Sequence, residues 1–235
     1  MQINGANVLV TGANRGLGRQ FVTSLLDRGA ATVYATARRP ELVDVAGAVP
    51  LKLDLTDPAS IAAAAEVAQD VTILINNAGI STGANLITGD PDAVRREMDT
   101  HFFGTLNVIR AFAPRLAGGA ILNVLSAISW LGFDGAGGYH AAKAAEWALT
   151  NNVRIELAKQ GTLVTGLHLG AADTDMMADY DGPKISPAAV VAAALDGIEA
   201  DRTEVLADDW SRLVKSWLAE DPSVIYAKAA AALSA

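Results

Sequence analysis

Tyr139 and Lys143 stand four residues apart in the stretch GGYHAAKAA, residues 137 to 145. Alanine and lysine favour a helix, and the two glycines free the turn before it, so the sequence predicts a helix starting near Tyr139. Four positions on a helix return to the same face, which sets a phenol beside an ammonium. A free tyrosine, with a pKa near ~10, is a poor base at neutral pH. A nearby ammonium favours the phenolate and lowers that pKa, each unit being worth about 1.4 kcal/mol. Such a phenol can hand a proton to a nascent alkoxide or take one from an alcohol. Taken alone, a Tyr and a Lys one turn apart are more often an ordinary solvated helix face.

A second chemical signal lies in TGANRGLG, residues 11 to 18. Gly12, Gly16 and Gly18 follow an aliphatic run and open a helical pattern. Glycines there permit a tight turn, close approach of a pyrophosphate and close helix–strand packing. The helix N-terminus presents free N–H groups and a partial positive charge to phosphates. Further on, VYATARRP places Ala37 where an NAD site carries an acid for the ribose hydroxyls, and Arg38 and Arg39 follow. With Arg15 in the glycine loop, three guanidiniums stand ready for a 2′-phosphate, although arginines are usually just solvated. This pattern predicts NADP(H) as the cofactor.

These groups need a scaffold. Aliphatic runs at 7–11, 32–36, 49–53, 71–76, 120–126, 163–169 and 204–206 read as strands, several apolar at consecutive positions, as in strands covered on both faces. Helical patterns at 16–28, 58–69, 91–116, 139–159 and 187–200 lie between them. Strand–helix alternation implies an α/β fold: a Rossmann-like, doubly wound parallel sheet with helices on both faces, here a single domain over residues 1–235. Ligands of such sheets bind outside the carboxyl ends of the strands. Thr11, Asn76, Ser126 and the Leu169–Gly170 pair all fall there. The alanine-rich tail, 228–235, is expected to fray or to dock as a short helix.

Composition narrows the classes. The 235 residues are 51% hydrophobic and 19% charged, which argues against disorder. A net charge of −8 disfavours a nucleic-acid partner, and the absence of cysteine excludes disulfides and thiolate nucleophiles. No apolar stretch reaches the ~20 residues of a membrane span, and the N-terminus lacks a signal-peptide pattern, so a cytoplasmic location without membrane contact is expected. His140 and His168 have no partners at metal-ligand spacing, and no metal is assigned.

With the glycine loop and the Tyr–Lys pair together, the chain resembles the short-chain dehydrogenase/reductase family over residues 6 to 206. TGANRGLG resembles its cofactor loop, which enrols Asn14, Arg15 and Leu17 with the three glycines. Asp54, followed by Leu55 in LDLTD, matches the acid that contacts the adenine. NNAG, with Asn77, Ala78 and Gly79, matches the element beside the adenosine ribose. Ser126, thirteen residues before Tyr139, stands at the spacing of the family's catalytic serine. Tyr139 and Lys143 match its YxxxK pair, and Gly170 and Thr174 match the segment that touches the nicotinamide carboxamide.

The resemblance implies hydride transfer between the cofactor and a carbonyl, with Tyr139 as acid or base, Lys143 also on the nicotinamide ribose, and Ser126 on the carbonyl oxygen. Two departures stand out. His101 occupies the place of an Asn that helps hold a proton-relay water; Asn107, six residues on, faces about 240° away on a regular helix. His101 is either a proton relay or a packing residue. Leu169 replaces a proline.

The function expected is an NADPH-dependent carbonyl reductase or alcohol dehydrogenase acting on a fairly apolar ketone or aldehyde. Residues 174–187, with Met176, Met177 and Tyr180, form its lid, and Trp130, Leu131, Phe133 and Ser129 its far wall. A 3-oxoacyl thioester reductase and a catalytically idle NADP(H)-binding sensor are the alternatives. A homodimer or homotetramer is expected from apolar faces on the middle helices and from Trp210, Leu213, Val214, Trp217 and Leu218 at helical spacing.

Overall fold

The computed structural model describes residues 1–233. Its centre is a seven-stranded, all-parallel sheet: β1 (Asn7–Thr11), β2 (Thr32–Ala37), β3 (Val49–Lys52), β4 (Ile73–Asn76), β5 (Ala120–Val124), β6 (Leu163–His168) and β7 (Glu204–Leu206). They lie in the order β3-β2-β1-β4-β5-β6-β7, so strand order reverses between β1 and β4. The doubly wound sheet is thus as the alternation implied.

Consecutive apolar residues arise because both faces are covered. In β1, Val8 and Val10 join one core cluster, with Phe21, Val22 and Leu25 of helix α1 (Gly16–Asp27) and Val190 and Leu195 of α6 (Pro187–Glu199). Leu9, between them, points the other way. There it meets Ile61 of α2 (Pro58–Val67), Phe112 of α4 (Thr105–Phe112) and Leu149 and Val153 of α5 (Gly137–Glu156). β4 repeats the alternation with Ile73 and Ile75 against Leu74.

The 91–116 segment is not one regular helix. It runs as α3 (Pro91–Met98), a π-helical turn (Asp99–Gly104) and α4, and the π turn carries His101. Gly104 in that turn has no room for a side chain, because a Cβ would come within 2.8 Å of Leu55 Cβ. Such turns recur where a side chain is aimed into a site.

After β7, Asp208 caps α7 (Asp209–Ser216), accepting from the Ser211 amide at 2.7 Å. The tail docks as α8 (Pro222–Leu233); Ser234 and Ala235 lie outside the described residues. Ala229 of α8 packs on Leu131, Val214 and Trp217. Part of the apolar stripe read as an oligomer surface is therefore covered by the chain's own last helix, while Leu213 stays exposed. No helix among the described residues is long and apolar enough to cross a membrane.

Candidate active site

The carboxyl ends of the strands open on one large cleft. Gly12, Asn14, Arg15, Gly16 and Leu17 line it beside Ala37, Arg38, Arg39, Asp54, Leu55, Asn77, Ala78 and Gly79. Ser126, Tyr139, Lys143, Gly170 and Thr174 line its other part, with His101 between. Of the residues expected to bind cofactor or carry the chemistry, only Gly18 lies off the cleft surface. Its role is contact: a Cβ there would stand 2.1 Å from the Gly12 carbonyl oxygen and 2.7 Å from Asn77 Nδ2. The helix can pack this closely on the strand only with glycine at that position.

Hydrogen bonds from β4 brace the glycine loop. Asn77 Nδ2 donates to the Thr11 and Gly12 carbonyls at 2.9 and 3.3 Å, and Thr11 Oγ1 accepts from the Asn77 and Ala78 amides at 2.9 and 3.0 Å. Asp54 Oδ1 is occupied by the Thr56 amide and hydroxyl, which fixes the turn after β3. Ala37 is buried, while Arg38 and Arg39 reach solvent at the cleft rim. Arg15 turns toward Asp175 of the 174–187 loop at 3.3 Å, a contact between two exposed groups. Exposed pairs of this kind contribute little, so Arg15 remains available to an anion.

Ser126 follows β5 and caps the next turn: its Oγ accepts from the Ile128 amide at 3.2 Å and donates to the Leu169 carbonyl at 3.3 Å. Tyr139 lies in the first turn of α5, half-buried at the cleft wall, and the ring of His101 meets its edge with centroids 5.2 Å apart. Lys143, one turn on, does not aim its ammonium at the phenol. Nζ donates to the Val124 carbonyl at 2.8 Å and to Glu146 Oε2 at 2.7 Å, and lies 5.8 Å from the Tyr139 ring centroid. Glu146, 1% exposed, also accepts from Thr105 Oγ1 at 3.3 Å, and its Oε2 stands 3.6 Å from His101 Nδ1. On its other side, His101 Nε2 sits 2.8 Å from the Ile80 carbonyl.

This arrangement corrects the simplest view of the Tyr–Lys pair. Burial pushes the Tyr139 phenol above its ordinary pKa; Lys143 pulls it down, but Glu146 and Glu97 push it further up. Burial works against charge on Lys143 as well, yet Glu146 holds the ammonium above its ordinary range. Burial likewise opposes the Glu146 carboxylate, which Lys143 and then His101 keep below its ordinary range.

A sequence model of the short chain dehydrogenase family matches residues 6–184. The chain belongs to the short-chain dehydrogenases. It is 38% identical, over 71% of its length, to the NADPH-dependent 1-acyldihydroxyacetone phosphate reductase of Schizosaccharomyces pombe, of which the match spans 60%. It is 32% identical to the 3-oxoacyl-(acyl-carrier-protein) reductase FabG of Salmonella typhimurium, over 75% of this chain and 77% of that one. A crystal structure of a short chain dehydrogenase from Burkholderia cenocepacia in complex with NADP superposes with a TM-score of 0.93 at 38% identity, covering 97% of this chain and 98% of the other.

Within this short-chain dehydrogenase, several expected wall residues face elsewhere. Phe133, Met176, Met177 and Tyr180 line the cleft, but Trp130, Leu131 and Ser129 do not. Trp130 stacks on His168 at 3.8 Å, Leu131 turns to α7 and α8, and Ser129 Oγ caps the Ser126 amide at 3.4 Å. Asn107 does not line the cleft. Sequence reasoning missed Glu146 and Asp208, whose Oδ2 accepts the Gly170 amide at 2.7 Å. For Glu146 the signal was present: an acid three residues after Lys143, on the same helix face. It also missed Leu233, which α8 brings to the cleft.

Proposed function

We propose that this protein is an NADPH-dependent carbonyl reductase, working reversibly as an alcohol dehydrogenase on a fairly apolar ketone or aldehyde. The observation that carries the reading is the single cleft that joins Ser126, Tyr139 and Lys143 to the glycine loop. The NADP cradle fits on this chain's own features: Gly18 packed without room for a Cβ, a buried Ala37 in place of an acid, and Arg15, Arg38 and Arg39 at the rim. Gly12, Asn14, Gly16 and Leu17 would hold the pyrophosphate, Asp54 and Leu55 the adenine, and Gly170 and Thr174 the carboxamide. When bound, NADPH supplies the hydride.

The protein's part is the proton and the charge. Ser126 rotates its hydroxyl from the Leu169 carbonyl to the substrate oxygen and stabilises negative charge as it develops. Tyr139, a phenol at neutral pH, donates its proton to that oxygen and becomes a phenolate beside the Lys143 ammonium. The edge-on contact with Tyr139 and a buried Nδ1 without a hydrogen-bond partner support His101 as a member of the proton path. Phe133, Met176, Met177, Tyr180 and Leu233 give the substrate side its apolar character.

The likeness to FabG supports a second reading, a 3-oxoacyl thioester reductase. Turnover with NADPH against ketones, aldehydes and acyl thioesters separates the two, and Tyr139→Phe should remove nearly all activity from a folded protein. Cofactor binding without turnover on any class would refute both and leave an idle NADP(H) sensor.

A further inference from the structure

The conspicuous group that this chemistry does not use is Glu146. It is a carboxylate on the sheet-facing side of α5, buried among Lys143, Thr105 and His101. A charge removed from water is costly unless it is paired, so a buried acid is retained where it has a task or an unavoidable partner. One oxygen, Oε2, faces both Lys143 Nζ at 2.7 Å and His101 Nδ1 at 3.6 Å. With the bond to the Val124 carbonyl, this occupies two of the three N–H groups of Lys143.

We propose that Glu146 is a positioning residue that, through the oxygen shared between Lys143 and His101, draws the lysine's charge away from Tyr139 and reserves the tyrosine for donating a proton to a carbonyl. The inference rests on the reductase reading of the site and adds a bias to it. Reduction needs the phenol and oxidation the phenolate. Four groups face Tyr139: Lys143 and Glu146 from α5, Glu97 from α3 and His101 from the π turn. Lys143 favours the phenolate, whereas the two carboxylates favour the phenol. Neutralising Glu146 frees the lysine's field to act on the tyrosine. Reduction with the native residue therefore extends to higher pH, and oxidation begins only at higher pH.

The test is Glu146→Gln, which keeps an oxygen to accept from Lys143 but carries no charge, with Glu146→Asp to restore the charge. Phenolate absorbance in the ultraviolet, taken as the difference from the matching Tyr139→Phe protein, titrates Tyr139 without turnover. The expected result is a fall of about one pH unit or more in the Tyr139 midpoint for Gln, with Asp near the native value. The apparent base pKa of alcohol oxidation should move with it. In the native protein, Tyr139 should titrate above the ordinary tyrosine value of ~10, a comparison that needs no change at 146. A midpoint unmoved or raised by Gln, or a native Tyr139 titrating below the ordinary tyrosine value of ~10, would overturn the proposal. So would a loss of turnover in both directions with the midpoint fixed, which would leave Glu146 as scaffold. If no substrate turns over, the reductase reading fails while the absorbance titration still decides the role of Glu146.

Discussion

The Lys143–Glu146 pair also makes a prediction about stability. Both side chains are nearly excluded from solvent and meet at 2.7 Å. Breaking a buried pair by removing one partner typically costs about 3–5 kcal/mol, because the survivor is left as an uncompensated charge. Two features reduce that here. Lys143 borders the cleft, so water can reach an orphaned group, and Glu146 keeps Thr105 and His101 as neighbours. We therefore expect Lys143→Met to cost about 2.5 kcal/mol and Glu146→Leu about 2 kcal/mol. The double variant should cost only about 1.5 kcal/mol, chiefly for the Thr105 hydroxyl left without its acceptor. The implied coupling, about 3 kcal/mol, lies at the upper end for residues sharing one network. At about 2–4 °C per kcal/mol for a chain of this size, Lys143→Met should melt roughly 5–10 °C below the native protein and the double variant roughly 3–6 °C below it. Urea unfolding near neutral pH, followed by circular dichroism, measures all four corners of the cycle. Additive losses, with a coupling under about 0.5 kcal/mol, would refute the claim that burial makes these two charges dependent on each other.

Two more expectations follow from the site and its surroundings. With Ala37 buried and Arg15, Arg38 and Arg39 on the cleft, NADPH should bind at least about tenfold more tightly than NADH, some 1.4 kcal/mol; calorimetry giving equal affinities would refute this, and Ala37→Asp should move the preference toward NADH. His168, buried under Trp130, has its pKa lowered by burial from 6.5 to about 4. Between those values the unfolded chain binds the proton that the folded protein refuses, so stability is fully present above pH 6.5 and falls with pH down to about 4, by at most about 3 kcal/mol. Unfolding curves at several pH values should show this slope flattened in His168→Gln.

How far the sequence could be read depended on whether a signal was local. β1 and β7 coincide with their expected ranges because aliphatic runs bounded by turn residues have few alternatives. The glycine loop was legible for the same reason, since Gly18 answers a contact with its own strand. The π turn was not. It arises where the segment passes Leu55, a residue more than forty positions away in the chain, and nothing within Asp99–Gly104 announces it. Trp130 was misplaced because a turn after a strand can send its side chains either way, and the His168 ring decided it. Glu146 passed unnoticed in the sequence, since an acid at helical spacing from a lysine is usually surface charge. Only its burial against β5 and the π turn separates it from that class.

Each strand of the sheet delivers something to the cleft at its carboxyl end: Gly12 after β1, Ala37 at the end of β2, Asp54 after β3, Asn77 after β4, Ser126 after β5, Gly170 after β6 and Asp208 after β7. Parallel neighbours can be joined only through a crossover, and the central pair, β1 with β4, joins positions such as Val8 and Ile73 only after two further strands have been made between them. A folding chain therefore has no catalytic fragment. An intermediate lacking β6 and β7 lacks the Gly170 and Asp208 part of the cleft, and one without β4 lacks the brace for the glycine loop. Long-range pairing of this kind is slow, and the open sheet edge stays exposed while it waits. A cofactor that recognises only the completed cradle would bind after the last strand has docked, and its binding free energy would then oppose unfolding of the whole sheet at once. Recovered turnover would thus report the final event of refolding, later than recovered helix signal. Saturating cofactor would rescue variants damaged far from the cleft as effectively as those damaged beside it.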